Sequence, residues 1–261
     1  MRASYYQVDA FTDRLFGGNP AGVCVLESWP SDAILQSIAS ENAKPGNAFV
    51  VPAGSDVDFD IRVFTPTVEV DMSGHTTLSA AFALFTEWGF ERDRIVFDGR
   101  SGHLTVARQG DLLTLDFPAL AAKPNGPIDA IGKALGTPAQ AVHTGIDWMA
   151  VFEREDDIVA LAPDMAAIAG LDCRGLMATA PGHDCDFVSR FFAPGAGLPE
   201  DQVTGSAHCM MTPYWAKRLG KTRLEARQLS PRGGVLVCED HGERVEISGQ
   251  AVLYARGTIE V

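Results

Sequence analysis

Two short stretches carry the residue types of proton-transfer chemistry. Ser73-Gly74-His75 stands at the head of one apolar run, and Thr204-Gly205-Ser206 at the head of another. A glycine at a helix start lets a ligand come close to the backbone. The unpaired N–H groups there carry about half a positive charge. Such an end suits a carboxylate or an enolate-like anion. Asp71 and Asp201 precede the two runs. Acid, histidine and anion cradle together suggest proton transfer at a carbon beside a carboxylate. Asp201 and His75 are therefore the candidate catalytic residues, with Asp71 in reserve, and Gly74, Gly205 and Ser206 the candidate substrate-binding ones.

Plainer readings compete with each of these. Ser73 and Thr204 read as N-caps, since short hydroxyl side chains favour that position. Asp71 and Asp201 could serve only the helix dipole. His208 next to Cys209 suggests a thiol–imidazole pair, but adjacent helical residues diverge in direction. Gly17-Gly18-Asn19-Pro20 is a turn without the G-x-G-x-x-G pattern of a dinucleotide site. Met210, Met211 and Trp215 read as core, and Glu153, Glu155, Asp156 and Asp157 as a solvated run.

The elements that must position these residues follow from periodicity. Ser31-Asp32 caps a helix through about residue 42, with Ile34, Leu35 and Ile38 on one face. A helix over 76–88 has little polar face and must be buried on most sides. Further helices are expected at 128–135 and 206–219, and short strands fill most of the remainder. The halves repeat one order. Arg62 to Pro66, Asp71, Gly74 and Arg100-Ser101-Gly102 are answered by Arg190 to Pro194, Asp201, Gly205 and Arg232-Gly233-Gly234. Duplication predicts two lobes, 1–117 and 122–250, with 251–261 a candidate to return to the first. If the lobes face each other, the two helix ends converge on a cleft that binds the substrate.

Composition narrows the partners. The chain has 261 residues, a net charge of −13 and 46% hydrophobic residues, enough to bury a core. So acidic a chain is a poor binder of nucleic acid or anionic membrane, and a small anionic metabolite must be met locally. No apolar run approaches the roughly 18 residues of a membrane span. Five cysteines without a C-x-x-C pair, and no apolar leader, point to reduced thiols and a cytoplasmic location. Neither metal-ligand spacing nor a phosphate-cradling loop is present, so no metal or cofactor is expected.

Val8-Asp9-Ala10-Phe11-Thr12, Gly18-Asn19-Pro20-Ala21, Phe64-Thr65-Pro66, Glu69-Val70-Asp71, Gly74-His75-Thr76-Thr77-Leu78 and Glu200-Asp201 through Val203-Thr204-Gly205-Ser206-Ala207 resemble the PhzF-like family of phenazine biosynthesis. The resemblance implies an α/β (α+β) fold similar to diaminopimelate epimerase. In that fold each of two pseudo-symmetric lobes is a curled, mostly antiparallel sheet around a central helix. It implies a homodimer and a cofactor-independent isomerase. It gives roles to His75 and Asp201, with Gly74, Gly205 and Ser206 binding the ligand. Ser73 falls where the epimerases carry a cysteine, which disfavours a two-thiol mechanism. One departure matters. Where the family carries Asn-Leu-Ser-Glu-Thr-Ala-Phe, this chain reads Ala43-Lys44-Pro45-Gly46-Asn47-Ala48-Phe49. Gly46 stands in place of the family's acid/base glutamate, and glycine moves no proton. An altered isomerase and a silent metabolite binder both remain open.

Overall fold

The computed structural model describes residues 2–54 and 56–261, which form two compact units, one of the described residues up to 116 with 248–261 and one of 117–247. The first unit begins with β1 (Arg2–Ala10), β2 (Asn19–Val25), α1 (Asp32–Asn42), β3 (Gly46–Pro52), β4 (Phe59–Phe64) and β5 (Glu69–Val70). Next come α2 (Gly74–Thr86), β6 (Arg94–Gly99), β7 (Gly102–Gln109) and β8 (Leu112–Pro118). β1 and β2 are antiparallel, joined through a turn in which Gly18 has φ +60° and a Cβ would strike the Ala10 carbonyl. β2 and β3 are parallel, and α1 supplies the crossover that a parallel pair requires. β4 lies antiparallel to β3 and β5 and parallel to β6.

α2 runs against β1, β2 and β3. All its residues but Phe82 and Thr86 are buried, which explains a helix apolar on nearly every side. The hydroxyls it buries are satisfied at once: Thr77 donates to the Ser73 carbonyl at 2.9 Å and Ser79 to that of His75 at 2.8 Å.

The second unit holds α3 (Ile128–Leu135), β9 (Ala141–His143), β10 (Trp148–Val151), α4 (Glu155–Val159), α5 (Met165–Ala169), β11 (Leu176–Pro181), β12 (Phe187–Ala193) and β13 (Leu198–Asp201). It continues through α6 (Gly205–Leu219), β14 (Arg223–Gln228), β15 (Gly234–Asp240) and β16 (Arg244–Gly249). The pairings repeat those of the first unit. β10 and β11 are parallel, while β12 is antiparallel to β11 and β13 and parallel to β14. Trp215 of α6 is fully buried, stacked on Phe187 at 5.8 Å, and its Nε1 donates to Thr179 Oγ1 at 3.0 Å. The last strand, β17 (Ala251–Glu260), pairs antiparallel with β1 from Arg2–Glu260 to Ala10–Ala251, within the first unit.

Matching side-chain clamps mark the repeat. Arg62 Nε and Nη2 meet Glu69 Oε1 and Oε2 at 2.8 and 2.7 Å, and Arg190 meets Glu200 in the same way at 2.8 and 2.9 Å. Each guanidinium also lies over a phenylalanine two residues on, Phe64 at 5.2 Å and Phe192 at 5.0 Å.

Several expectations need correction. Ile34 is exposed, and Ala39 joins Leu35 and Ile38 on the buried face of α1. α2 starts at Gly74 and stops at Thr86, so Trp88 lies outside it and packs edge-on against Phe59 instead. Ser31, Ser73 and Thr204 occupy N-cap positions, but none makes a side-chain capping bond. The acidic run is partly structural: Asp157 accepts from the Arg154 backbone at 3.1 Å, and Glu155 from that of His183 at 2.7 Å. Asp71 and Asp201 are not repeat partners. Val63 pairs with Val70 as Phe191 pairs with Asp201, so Val70 is the counterpart of Asp201.

Candidate active site

In the first unit the buried head of α2 gathers Ser73, His75 and Thr76 against the start of β3. Ser73 Oγ lies 3.2 Å from His75 Nδ1 and 2.9 Å from Thr76 Oγ1, and Thr76 Oγ1 lies 3.1 Å from His75 Nε2. Burial pushes the His75 pKa down to about 4, so its imidazole is neutral at pH 7. Gly46 faces the same cluster. A Cβ there would collide with the Thr76 hydroxyl and lie 3.0 Å from His75 Nε2. The Thr76 hydroxyl thus fills the space that a side chain at position 46 would need. Gly74, next to His75, is buried at the first helical position. Asp71 is exposed and pairs with Arg100 at 3.2 Å.

In the second unit the short strand β13 delivers Asp201, 7% exposed, to the head of α6. Thr204 Oγ1 donates to Asp201 Oδ2 at 2.7 Å, so the hydroxyl serves the acid and not the helix. Gln228 of β14 braces the loop: its Nε2 donates to the Asp201 carbonyl at 2.7 Å, and its Oε1 accepts from Thr204 N at 2.9 Å. Ser206 is half-buried in the first turn, beside buried Gly205. Its Oγ accepts from Arg174 Nη2 at 3.0 Å. Arg174 is itself held by Asp147, which is 1% exposed, through Nε–Oδ1 at 2.8 Å and an Nη2–Oδ2 bond. Those bonds raise the Arg174 pKa.

His208 and Cys209 form no reactive pair. His208 Nδ1 bonds the Thr204 carbonyl at 2.8 Å, and burial pushes its pKa down to about 4. Cys209 Sγ points to the Gly205 carbonyl, and burial pushes the thiol up to about 12, far from a thiolate at pH 7.

The structure thus brings His75, Ser73, Gly74 and Gly46 together in one unit, and Asp201, Gly205 and Ser206 together in the other. Thr76, Arg174, Asp147 and Gln228 escaped the sequence reading. Among the described residues the one grouping of metal-ligand types is Glu239, His241 and Glu246 on the surface, where Glu239 also pairs with Arg223 at 3.2 Å. No helix among them is long and apolar enough to cross a membrane.

The class defined by this fold is shared with known proteins. An uncharacterized isomerase of Pseudomonas aeruginosa is 48% identical, each chain covered over 100% of its length. The crystal structure of a phenazine biosynthesis protein of the PhzF family from Enterococcus faecalis superposes with a TM-score of 0.96 at 40% identity, covering 100% of both chains. A hydroxyproline epimerase from Agrobacterium vitis has a TM-score of 0.64 at 11% identity, covering 99% of this chain and 92% of its own, a likeness of fold alone. The profile of the phenazine biosynthesis-like proteins matches residues 8–257, and the chain belongs to that family. The α+β architecture, with mostly antiparallel strands about a central helix in each unit, is the epimerase-like fold that the sequence resemblance implied.

Proposed function

We propose that this protein is an isomerase that moves a proton on a small carboxylate-bearing metabolite with its own side chains. The observation that carries this reading is the buried, neutral His75 at the first turn of α2. A histidine held so far below pH 7 is a weak base but a good neutral donor. It can offer a hydrogen bond to the oxyanion that forms when a proton leaves the carbon beside a carboxylate. Asp201 is the group assigned to carry the proton, since Gly46 has no side chain to do so. Ser73, Gly74, Gly205 and Ser206 are assigned to the substrate, through helix ends that no side chain caps. The assembly that goes with this reading is a homodimer, which light scattering measures.

A second reading is favoured by the packing at Gly46. With the Thr76 hydroxyl in the acid's place, the chain would bind the metabolite without turning it over. Solvent deuterium separates the two. The ligand that copurifies with the protein is identified by mass spectrometry and incubated with the enzyme in heavy water. Deuterium on ligand carbon supports the isomerase; tight binding without exchange supports the binder.

A further inference from the structure

A cavity of about 600 Å³ in the second unit takes no part in the proposed chemistry. It lies between α6, β9 and the segment leading out of β8, and a proline builds it. Pro213 sits inside α6 and has no N–H, which frees the Cys209 carbonyl. Leu120 N donates to that carbonyl at 3.0 Å and fastens the incoming segment to the helix. Lys123 and Thr144 exchange backbone bonds at 2.9 and 2.8 Å, tying the same segment to the end of β9. The walls are therefore held before any ligand arrives.

The lining is apolar at Leu120, Met210 and Pro213 and cationic at Lys217 and Arg218, with no acidic residue. Arg218 donates to Tyr214 Oη at 2.8 Å and lies 5.1 Å over the Trp215 ring. Among the described residues neither cation meets a carboxylate, whereas Arg62, Arg100, Arg174 and Arg190 all do. Together they leave the lining net positive in a chain of net charge −13. His143, in the same lining, has a buried Nδ1 without a partner. Last-turn cations also suit the helix dipole, but the dipole does not explain a braced apolar cavity beside them. The volume lies within the range of small-molecule sites, and aromatic and apolar walls with a few charges are their usual lining.

We propose that this cavity binds a small organic anion with an apolar, ring-sized body. Lys217 and Arg218 hold its acid group, and Leu120, Met210 and Tyr214 pack its body. The test uses the whole chain, isotope-labelled at its methionine methyl groups, titrated with naphthalene-2-sulfonate and with its neutral analogue naphthalene-2-methanol. The Met210 methyl signal is expected to shift saturably, with the sulfonate at least about tenfold tighter, a difference of about 1.4 kcal/mol. The double variant Lys217→Gln, Arg218→Gln is expected to lose that preference while the other methionine signals stay in place. A shift that never saturates, equal affinity for both compounds, or a double variant that keeps the preference overturns the proposal. So does loss of binding as protein concentration rises into a dimer, since a second copy would then cover the face.

Discussion

The two units share a set of strand pairings and differ in the residues at the head of the central helix. Both carry the same strand pairings and the same arginine–glutamate clamp stacked on a phenylalanine. At the helix head one unit reads Ser73-Gly74-His75-Thr76 and the other Thr204-Gly205-Ser206-Ala207. The first is surrounded by hydroxyls and a neutral imidazole. The second is surrounded by Asp201, Arg174 and Asp147. The clamps join neighbouring strands, and each reaches beyond them, Arg62 to Asp32 at 2.8 Å and Arg190 to the Ile158 and Leu161 carbonyls at 3.4 Å. The helix heads thus present different groups, a neutral imidazole in one unit and an arginine between carboxyl groups in the other.

The comparison is tested most visibly at the clamps. Arg190→Met strands Glu200 in a mostly buried site, whereas Arg62→Met leaves Glu69 its contact with Arg100 at 3.2 Å. Arg190→Met is expected to cost about 3 kcal/mol in urea denaturation, because a buried charge left without its partner is expensive, and Arg62→Met is expected to cost less. Equal costs would show that Arg100 gives Glu69 no support.

The neutral histidines sharpen the comparison through pH. His75 and His208 both have folded pKa values near 4, below the ordinary 6.5. The unfolded chain therefore binds more protons between those values, and stability must fall as pH drops from about 6.5 towards 4. Each histidine is expected to remove about 2 kcal/mol between pH 7.5 and pH 5. Replacing His208 with Phe should flatten roughly half of that slope, measured by denaturation at both pH values.

The most local effect belongs to Gly46. Gly46→Ala pushes a methyl group into the Thr76 hydroxyl and should cost about 1–3 kcal/mol. Adding Thr76→Ala, which removes the hydroxyl that the new methyl group meets, should recover part of that loss.

Much of this was legible in the chain. Leu35 and Ile38 announced α1, and the apolar run after Gly74 announced a buried helix. The strands β5 and β13 were not visible, because Glu69-Val70 and Leu198-Pro199-Glu200-Asp201 show no alternation. Yet β13 delivers Asp201, and its register decides that Val70, not Asp71, is the counterpart. Arg174 and Asp147 lie 27 residues apart and meet only through the parallel pairing of β10 and β11. Thr76 looked like one more helix residue until the space above Gly46 was seen to be filled by its hydroxyl.

The central claim is that proton transfer survives without a side chain at position 46 and passes to Asp201. Solvent-deuterium exchange into the copurified ligand tests it most directly, comparing wild type, Asp201→Asn and Gly46→Glu. A positioned acid/base contributes about 10²–10⁴-fold, so Asp201→Asn should lose at least about 10²-fold in exchange rate while keeping its fold. Gly46→Glu should be slower than wild type, since its side chain must displace Thr76. An inert wild type that gains exchange on Gly46→Glu would contradict the account and identify the protein as a binder that has lost its acid.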